Sequence, residues 1–345
     1  MPHKSSAAPV TVLGAGAWGT TLAWLLGNNG HAVQLWAREA GLADAAQRER
    51  RNPSYVPGLP LPDTVRVTSD LQEAVPPDAT VFVVVPVRAV SGLMARLGAA
   101  GAQPAGIVSC SKGLRSADQA DGQGAESSGL SRPTELIEQQ LPGTPLAALS
   151  GPNLASEIAA GQPAATTIAS RDETFARRLQ SLLGQATFRV YTSTDIVGVE
   201  LAGALKNVIA IAAGICDGLG LGDNAKSTII TRGLAELVRL GTHLGGLERT
   251  FYGLAGVGDI VATCVSDSSR NHTAGTLLAA GERLEGARLG SLTAEGLPTV
   301  AAVHHFAKAR GIELPITVEV YRVAYEGKPP RQAMIDLMTR EGKAE

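Results

Sequence analysis

Apolar residues recur in two rhythms along this chain. Over the first half, short apolar runs bounded by turn residues alternate with helix-period stretches; after Thr192 the helix period alone persists. Runs over 10–13, 32–36, 65–68, 80–85, 106–109, 146–149, 164–169 and 188–191 each predict a strand. Helical stretches over 20–26, 87–97, 133–140 and 173–183 lie between them, the alternation a parallel sheet requires. Val81-Phe82-Val83-Val84-Val85 is apolar on both faces and belongs at the centre of such a sheet. From Asp195 the pattern predicts a long helix to about 216, with Thr194 as its cap. Further helices are expected over 227–244, 259–265, 271–280, 299–310, 316–325 and 330–340. The polar, Gly/Ser-rich stretch 115–131 is expected to be a mobile surface insertion. No internal repeat is visible.

The first strand runs straight into Gly14-Ala15-Gly16-Ala17-Trp18-Gly19. In a strand–turn–helix context this spacing has a mechanical meaning. Gly14 permits the tight turn, Gly16 keeps no side chain between backbone and a pyrophosphate, and Gly19 lets the helix pack close to the strand. The helix N-terminus then offers unpaired N–H groups to phosphate. The fold expected is an α/β Rossmann-type N-terminal domain over 1–192, followed by an all-α C-terminal domain over 193–345 that supplies the substrate site. The second strand ends without the acid that reads a ribose 2′-hydroxyl and exits through Arg38, which suits a 2′-phosphate; NADPH is expected to serve at least as well as NADH. Glu39, one residue on, competes for the same position.

Composition narrows the function classes. The chain has 345 residues, 44% hydrophobic, enough for packed cores. A net charge of -2 gives no basic excess for nucleic acid. The first nine residues carry no apolar segment, so no secretion signal is expected, and no stretch reads as long enough to span a bilayer. Cys110, Cys216 and Cys264 form neither a metal spacing nor a disulfide framework, which fits a cytoplasmic protein without a metal site.

Several residues stand out chemically. Lys206 lies in a helix apolar nearly all round, and its neighbours at three and four residues, Ala202, Gly203, Ile209 and Ala210, include no acid. Desolvation there would lower its pKa toward a value useful for proton transfer; the competing reading is a lysine that reaches solvent from the helix edge. Lys112 follows the strand 106–109, where open α/β sheets place ligands. Ser150-Gly151-Pro152-Asn153-Leu154-Ala155 forms another strand-end turn. Asp259 and Thr263 share a helix face one turn apart. Ser268-Ser269-Arg270-Asn271-His272 offers a guanidinium beside hydroxyl and amide donors, a set that suits phosphate.

Together these segments resemble the bacterial NAD(P)-dependent glycerol-3-phosphate dehydrogenases from residue 10 to about 340. The likeness rests on 14–20, Asn52-Pro53-Ser54-Tyr55-Val56-Pro57-Gly58, Ser111-Lys112-Gly113-Leu114, Ser150-Gly151-Pro152 with Ala155 and Glu157, Gly203-Ala204-Leu205-Lys206-Asn207, Gly256-Val257-Gly258-Asp259, Ser269-Arg270-Asn271 and Glu295-Gly296. The resemblance implies reduction of dihydroxyacetone phosphate to sn-glycerol 3-phosphate for phospholipid synthesis by a homodimer using NADPH or NADH. It implies Lys206 as proton donor and acceptor. Lys112, Gly151, Asn153, Asp259, Ser269, Arg270 and Asn271 would line the substrate site. Gly14, Gly16, Trp18, Gly19, Arg38, Lys112, Ala155, Arg270 and Glu295 would contact the cofactor. Asn153 stands where the family more often has Ser or Thr, and 115–131 is longer than the family's usual connection. Another two-domain hydroxyacid or ketopantoate reductase, or a non-enzymatic dinucleotide sensor, are the alternatives; the phosphate-suited 269–271 cluster opposes the first and buried Lys206 the second.

Overall fold

The computed structural model describes residues 8–116 and 129–341. Eight strands form one sheet: β1 (Val10–Leu13), β2 (Val33–Trp36), β3 (Val65–Thr68), β4 (Thr80–Val83), β5 (Gly106–Ser109), β6 (Leu146–Ser150), β7 (Ala164–Ala169) and β8 (Phe188–Ser193). Their order is β8-β7-β6-β5-β4-β1-β2-β3. Each strand lies where the sequence pattern puts one. β1 to β6 run parallel, whereas β7 turns antiparallel to β6 and carries β8 parallel to itself. That reversal departs from a wholly parallel sheet. The connection 151–163 turns back at the sheet end it left instead of crossing a face, and such a return gives an antiparallel neighbour.

β4 lies between β1 and β5 and is fully buried, because both sheet faces are covered. Phe82 and Val108 pack on one face with Leu22, Leu25 and Leu26 of α1 (Ala17–Asn28). Val81, Val83 and Ile107 pack on the other with Leu93, Met94 and Leu97. The order reverses direction between β1 and β4, the switch point where doubly wound sheets hold dinucleotides.

The helical part begins with α2 (Ile196–Gly218), followed by α3 (Gly222–His243), α4 (Asp259–Val265), α5 (Arg270–Ala279), α6 (Gly296–Arg310), α7 (Pro315–Tyr325) and α8 (Pro330–Met338). The cap of α2 is Asp195 and not Thr194: its Oδ1 accepts the Gly198 N–H at 2.8 Å. A Cβ on Gly198 would stand 2.0 Å from the Asp195 carboxylate, so glycine there lets the cap close. α2 also corrects the expectation that no segment could span a bilayer. It has 23 residues with a mean hydropathy of 1.7 over an 18-residue window. Yet 94% of that window is buried inside the protein, so its apolar surface is consumed by helix packing.

The chain divides into two compact units, Met1–Ser111 with Pro133–Val199, and Lys112–Arg132 with Glu200–Glu345. The division differs from a boundary at 192/193: it falls inside α2, and 112–132 belongs with the helical unit. The reason is visible at both ends of that excursion, where Lys112 bonds Asp259 and Arg132 bonds Glu200. Of the insertion expected over 115–131, Arg115–Ser116 and Leu130–Ser131 pair as a short antiparallel ribbon; residues 117–128 lie outside the described residues.

Candidate active site

In the first unit, the β1–α1 turn has the geometry its glycines require. Gly14 has φ +115°, and a Cβ on it would come within 2.4 Å of the Val84 carbonyl oxygen. A Cβ on Gly19 would stand 1.8 Å from the Gly14 carbonyl oxygen. Around Gly16 the same test meets nothing within 4 Å, so this is open space that any side chain would fill. Gly16 caps α1 without a side-chain bond, and no acid occupies the first turn. The opening N–H groups of α1 thus face an uncrowded space suited to a pyrophosphate.

Asn52 braces this turn: its buried amide donates to the Ala15 carbonyl at 2.8 Å and to Thr20 Oγ1 at 2.9 Å. Trp18 is half-buried, its ring 6.4 Å from that of Phe188. Beyond β2, the exposed Arg38 guanidinium pairs with Glu39 at 2.5 Å.

After β6, Gly151 holds φ +152°, a conformation closed to residues with a Cβ. Asn153 donates from Nδ2 to Thr166 Oγ1 at 2.9 Å, and Thr166 donates onward to the Ser150 carbonyl at 3.1 Å. Its Oδ1 is buried with no partner among the described residues, an acceptor left over for a ligand. Ala155 opens the short helix Ala155–Ala159.

In the second unit, α4 follows a π-helical turn, Leu254–Gly258. Gly256 makes that turn possible, since a Cβ there would stand 1.9 Å from the Phe251 carbonyl oxygen. The turn delivers Asp259 into the interior, 2% exposed. Its two oxygens serve two lysines: Oδ1 accepts from Lys206 Nζ and Oδ2 from Lys112 Nζ, each at 2.6 Å. Lys206 also donates to Thr263 Oγ1, which donates to Asp259 Oδ1 at 3.2 Å.

Burial pushes the Lys206 pKa down to about 8; the Lys112 ammonium pushes the same way and Asp259 opposes both. Burial works against charge on Asp259 too, yet Lys112 and Lys206 hold its carboxyl below the usual range. The arrangement is therefore an ionised carboxylate between two ammonium groups, one of which can lose its proton near neutral pH.

Asn207, not singled out as a site residue from sequence, ties this cluster to its surroundings. It donates to the Lys112 carbonyl at 2.8 Å and accepts from Asn271 Nδ2 at 2.9 Å. Asn271 Oδ1 in turn accepts the Gly296 N–H at 2.9 Å. Glu295, just before α6, receives the Thr299 hydroxyl on its carbonyl at 2.8 Å. Ser269 caps α5 by accepting the His272 N–H at 3.2 Å and keeps its own hydroxyl proton to donate. Arg270 is exposed on the first turn of α5, without an ion pair among the described residues. Lys112, Lys206, Asp259 and Asn271 are thus joined by bonds directly or through Asn207. Among the described residues no group of three or more His, Cys, Asp or Glu side chains is placed to hold a metal.

Comparison with known proteins gives a consistent result across the chain. Residues 9–176 match the family model for the NAD-dependent glycerol-3-phosphate dehydrogenase N-terminus, and 195–335 match that for its C-terminus. A glycerol-3-phosphate dehydrogenase [NAD(P)+] of Chlorobium limicola is 45% identical over 97% of this chain and 99% of its own. That of Syntrophotalea carbinolica is 44% identical over the same shares. The crystal structure of glycerol-3-phosphate dehydrogenase from Coxiella burnetii superposes with a TM-score of 0.87 at 37% identity, covering 96% of this chain and 99% of that one.

Proposed function

Because the chain belongs to the NAD-dependent glycerol-3-phosphate dehydrogenase family and is an NAD(P)-dependent oxidoreductase of that activity, we propose that Lys206 moves the proton in its reaction. The reaction joins dihydroxyacetone phosphate and sn-glycerol 3-phosphate, the backbone of glycerophospholipids. A nicotinamide held in the first unit would supply the hydride for the carbonyl carbon, or accept it from the alcohol carbon in reverse. Lys206 then has a defined task. As an ammonium it donates a proton to the developing alkoxide oxygen; as an amine it removes that proton in the oxidation. Lys112 stabilises the oxyanion by its charge. Asp259 orients both ammonium groups and offsets part of their mutual repulsion. The single observation that carries this reading is Lys206, buried at 6% exposure and bonded to Asp259 at 2.6 Å.

The phosphate reading rests on α5. Arg270 presents its guanidinium there, and the Ser269 hydroxyl and the second Asn271 N–H remain to donate. Gly151 and the Asn153 Oδ1 acceptor suit a substrate hydroxyl. Gly14, Gly16, Trp18, Gly19, Arg38, Lys112, Ala155, Arg270 and Glu295 are the proposed cofactor contacts. Three buried cysteines, none in a disulfide among the described residues, suit a reducing cytoplasm, and the family likeness points to a homodimer. Neither alternative is favoured: the family matches span both halves of the chain, and a sensor has no use for two lysines on one buried carboxylate.

NADPH oxidation with dihydroxyacetone phosphate and with dihydroxyacetone tests the assignment. Loss of the charged contacts should cost about 2 to 5 kcal/mol in transition-state binding. Comparable kcat/KM for the two ketones would overturn it.

A further inference from the structure

The excursion Lys112–Arg132 is held to α2 at both ends. At its start, Asn207 donates to the Lys112 carbonyl at 2.8 Å. At its end, Arg132 Nη1 donates to Glu200 Oε2 at 2.7 Å, with side chains only 12% and 2% exposed. Glu200 and Asn207 are seven residues apart on a 23-residue helix, two turns, so they share one face about 10 Å apart. Lys206 is the residue before Asn207. A single rigid helix therefore carries the proton-transfer lysine and both anchor points of the segment that carries Lys112.

The described residues next to the anchors are braced too. The Leu114 N–H donates to Thr299 Oγ1 of α6 at 3.3 Å, and Arg115–Ser116 pairs with Leu130–Ser131. Arg132 immediately follows the returning strand of that ribbon. A path of bonds thus runs from Glu200 through Arg132 and the ribbon to Leu114 and Lys112.

We propose that Arg132 and Glu200 are positioning residues that set the location of Lys112 against Asp259 and Lys206. The inference rests on the catalytic reading of Lys112 given above. Stability alone is a poor explanation for such a pair, because desolvating two charges offsets most of their attraction. A fixed register is the better-attested use of a buried pair, and here the register is that of a catalytic ammonium. Neither side chain touches the reacting atoms in this scheme; the pair acts through Lys112.

The test is a double-mutant cycle on the full-length enzyme. Arg132→Gln and Glu200→Gln should each lower kcat/KM for dihydroxyacetone phosphate between ten- and a hundredfold, the scale of an ångström-sized misplacement. The dissociation constant for NADPH should change far less than kcat/KM, since of the proposed cofactor contacts only Lys112 is displaced. Arg132→Lys, which keeps the charge but loses the planar fork, should recover part of the loss and serves as the readout if Arg132→Gln does not fold. In a Lys112→Ala background, Arg132→Gln should cost nothing further, because the group it positions is gone. Wild-type kcat/KM in Arg132→Gln or Arg132→Lys, or a full additive loss in the Lys112→Ala background, would overturn the proposal. If Lys112→Ala alone were fully active, the assignment of Lys112 would fall first.

Discussion

Lys206 can sit in the interior because Asp259 and Thr263 complete its bonding shell. An ammonium left alone there would give up its proton or keep the helix out of the core. The pairing leaves a pKa of about 8, and this fixes the direction of the pH response. In the proposed mechanism ketone reduction needs the ammonium, so its kcat should fall as pH rises through about 8. Alcohol oxidation needs the amine and should rise over the same range. Lys206→Met should remove both limbs and lower kcat by roughly 10²–10⁴-fold. Asp259 keeps Lys112 as a partner in that variant, so its carboxylate is not orphaned and NADPH binding by fluorescence titration should persist. A variant with near-normal kcat would take Lys206 out of the mechanism. The sequence shows at this scale that Lys206 lacks an acid on its own helix; which acid meets it, and that Asn207 ties the site together, is invisible to a local pattern.

At the scale of elements, the strand–turn–helix of β1 and α1 is legible because its glycines answer local demands, seen in the positive φ of Gly14 and the close approach of Gly19 to the Gly14 carbonyl oxygen. The π-helical turn before Asp259 is not legible in the same way. It depends on how closely Gly256 approaches the Phe251 backbone carbonyl five residues back, which no apolar periodicity encodes. On the reading proposed above, the end of β2 would carry the cofactor preference. Arg38 and Glu39 are both exposed, and surface pairs of this kind are weak. A 2′-phosphate should therefore take the guanidinium from Glu39 readily. Steady-state kinetics should show NADPH used at least as well as NADH, with Arg38→Ala raising KM for NADPH and leaving KM for NADH nearly unchanged. An enzyme strongly favouring NADH, or an unchanged KM for NADPH in the variant, would show that Arg38 does not read the phosphate.

For the molecule as a whole, Glu236 ties stability to pH. It is 7% exposed and caps α7 from another helix, accepting the Ile316 N–H at 2.5 Å, the Thr317 N–H at 3.1 Å and the Thr317 hydroxyl at 3.0 Å. Burial raises its pKa to about 7 against those bonds and the nearby Arg239, all of which favour the charge. The folded protein holds this proton more tightly than the unfolded chain. The group's stabilising contribution is therefore full below about 4.5 and is lost as pH rises through about 7. The span corresponds to about 3 kcal/mol at most. Denaturant unfolding of wild type relative to Glu236→Gln should show that difference shrink between pH 4 and pH 8.5. A difference independent of pH would mean that Glu236 binds its proton equally in the folded and unfolded chain.

Much of this protein was decided by the sequence itself. The strands, the glycine turn and most of the helices follow from side-chain period and turn chemistry, which act over a few residues. The family likeness rests on short motifs of the same local kind. Tertiary structure decided what meets what. Asp259 reaches Lys206 across 53 positions and Lys112 across 147. The excursion 112–132 joins the helical unit because its two ends find partners on α2 and α4, although its composition reads as a surface loop. The same holds for α2, whose apolarity would suit a bilayer until packing buries it. A periodic pattern states which face of an element is apolar; only the crossing of elements in space selects the residue on the other side.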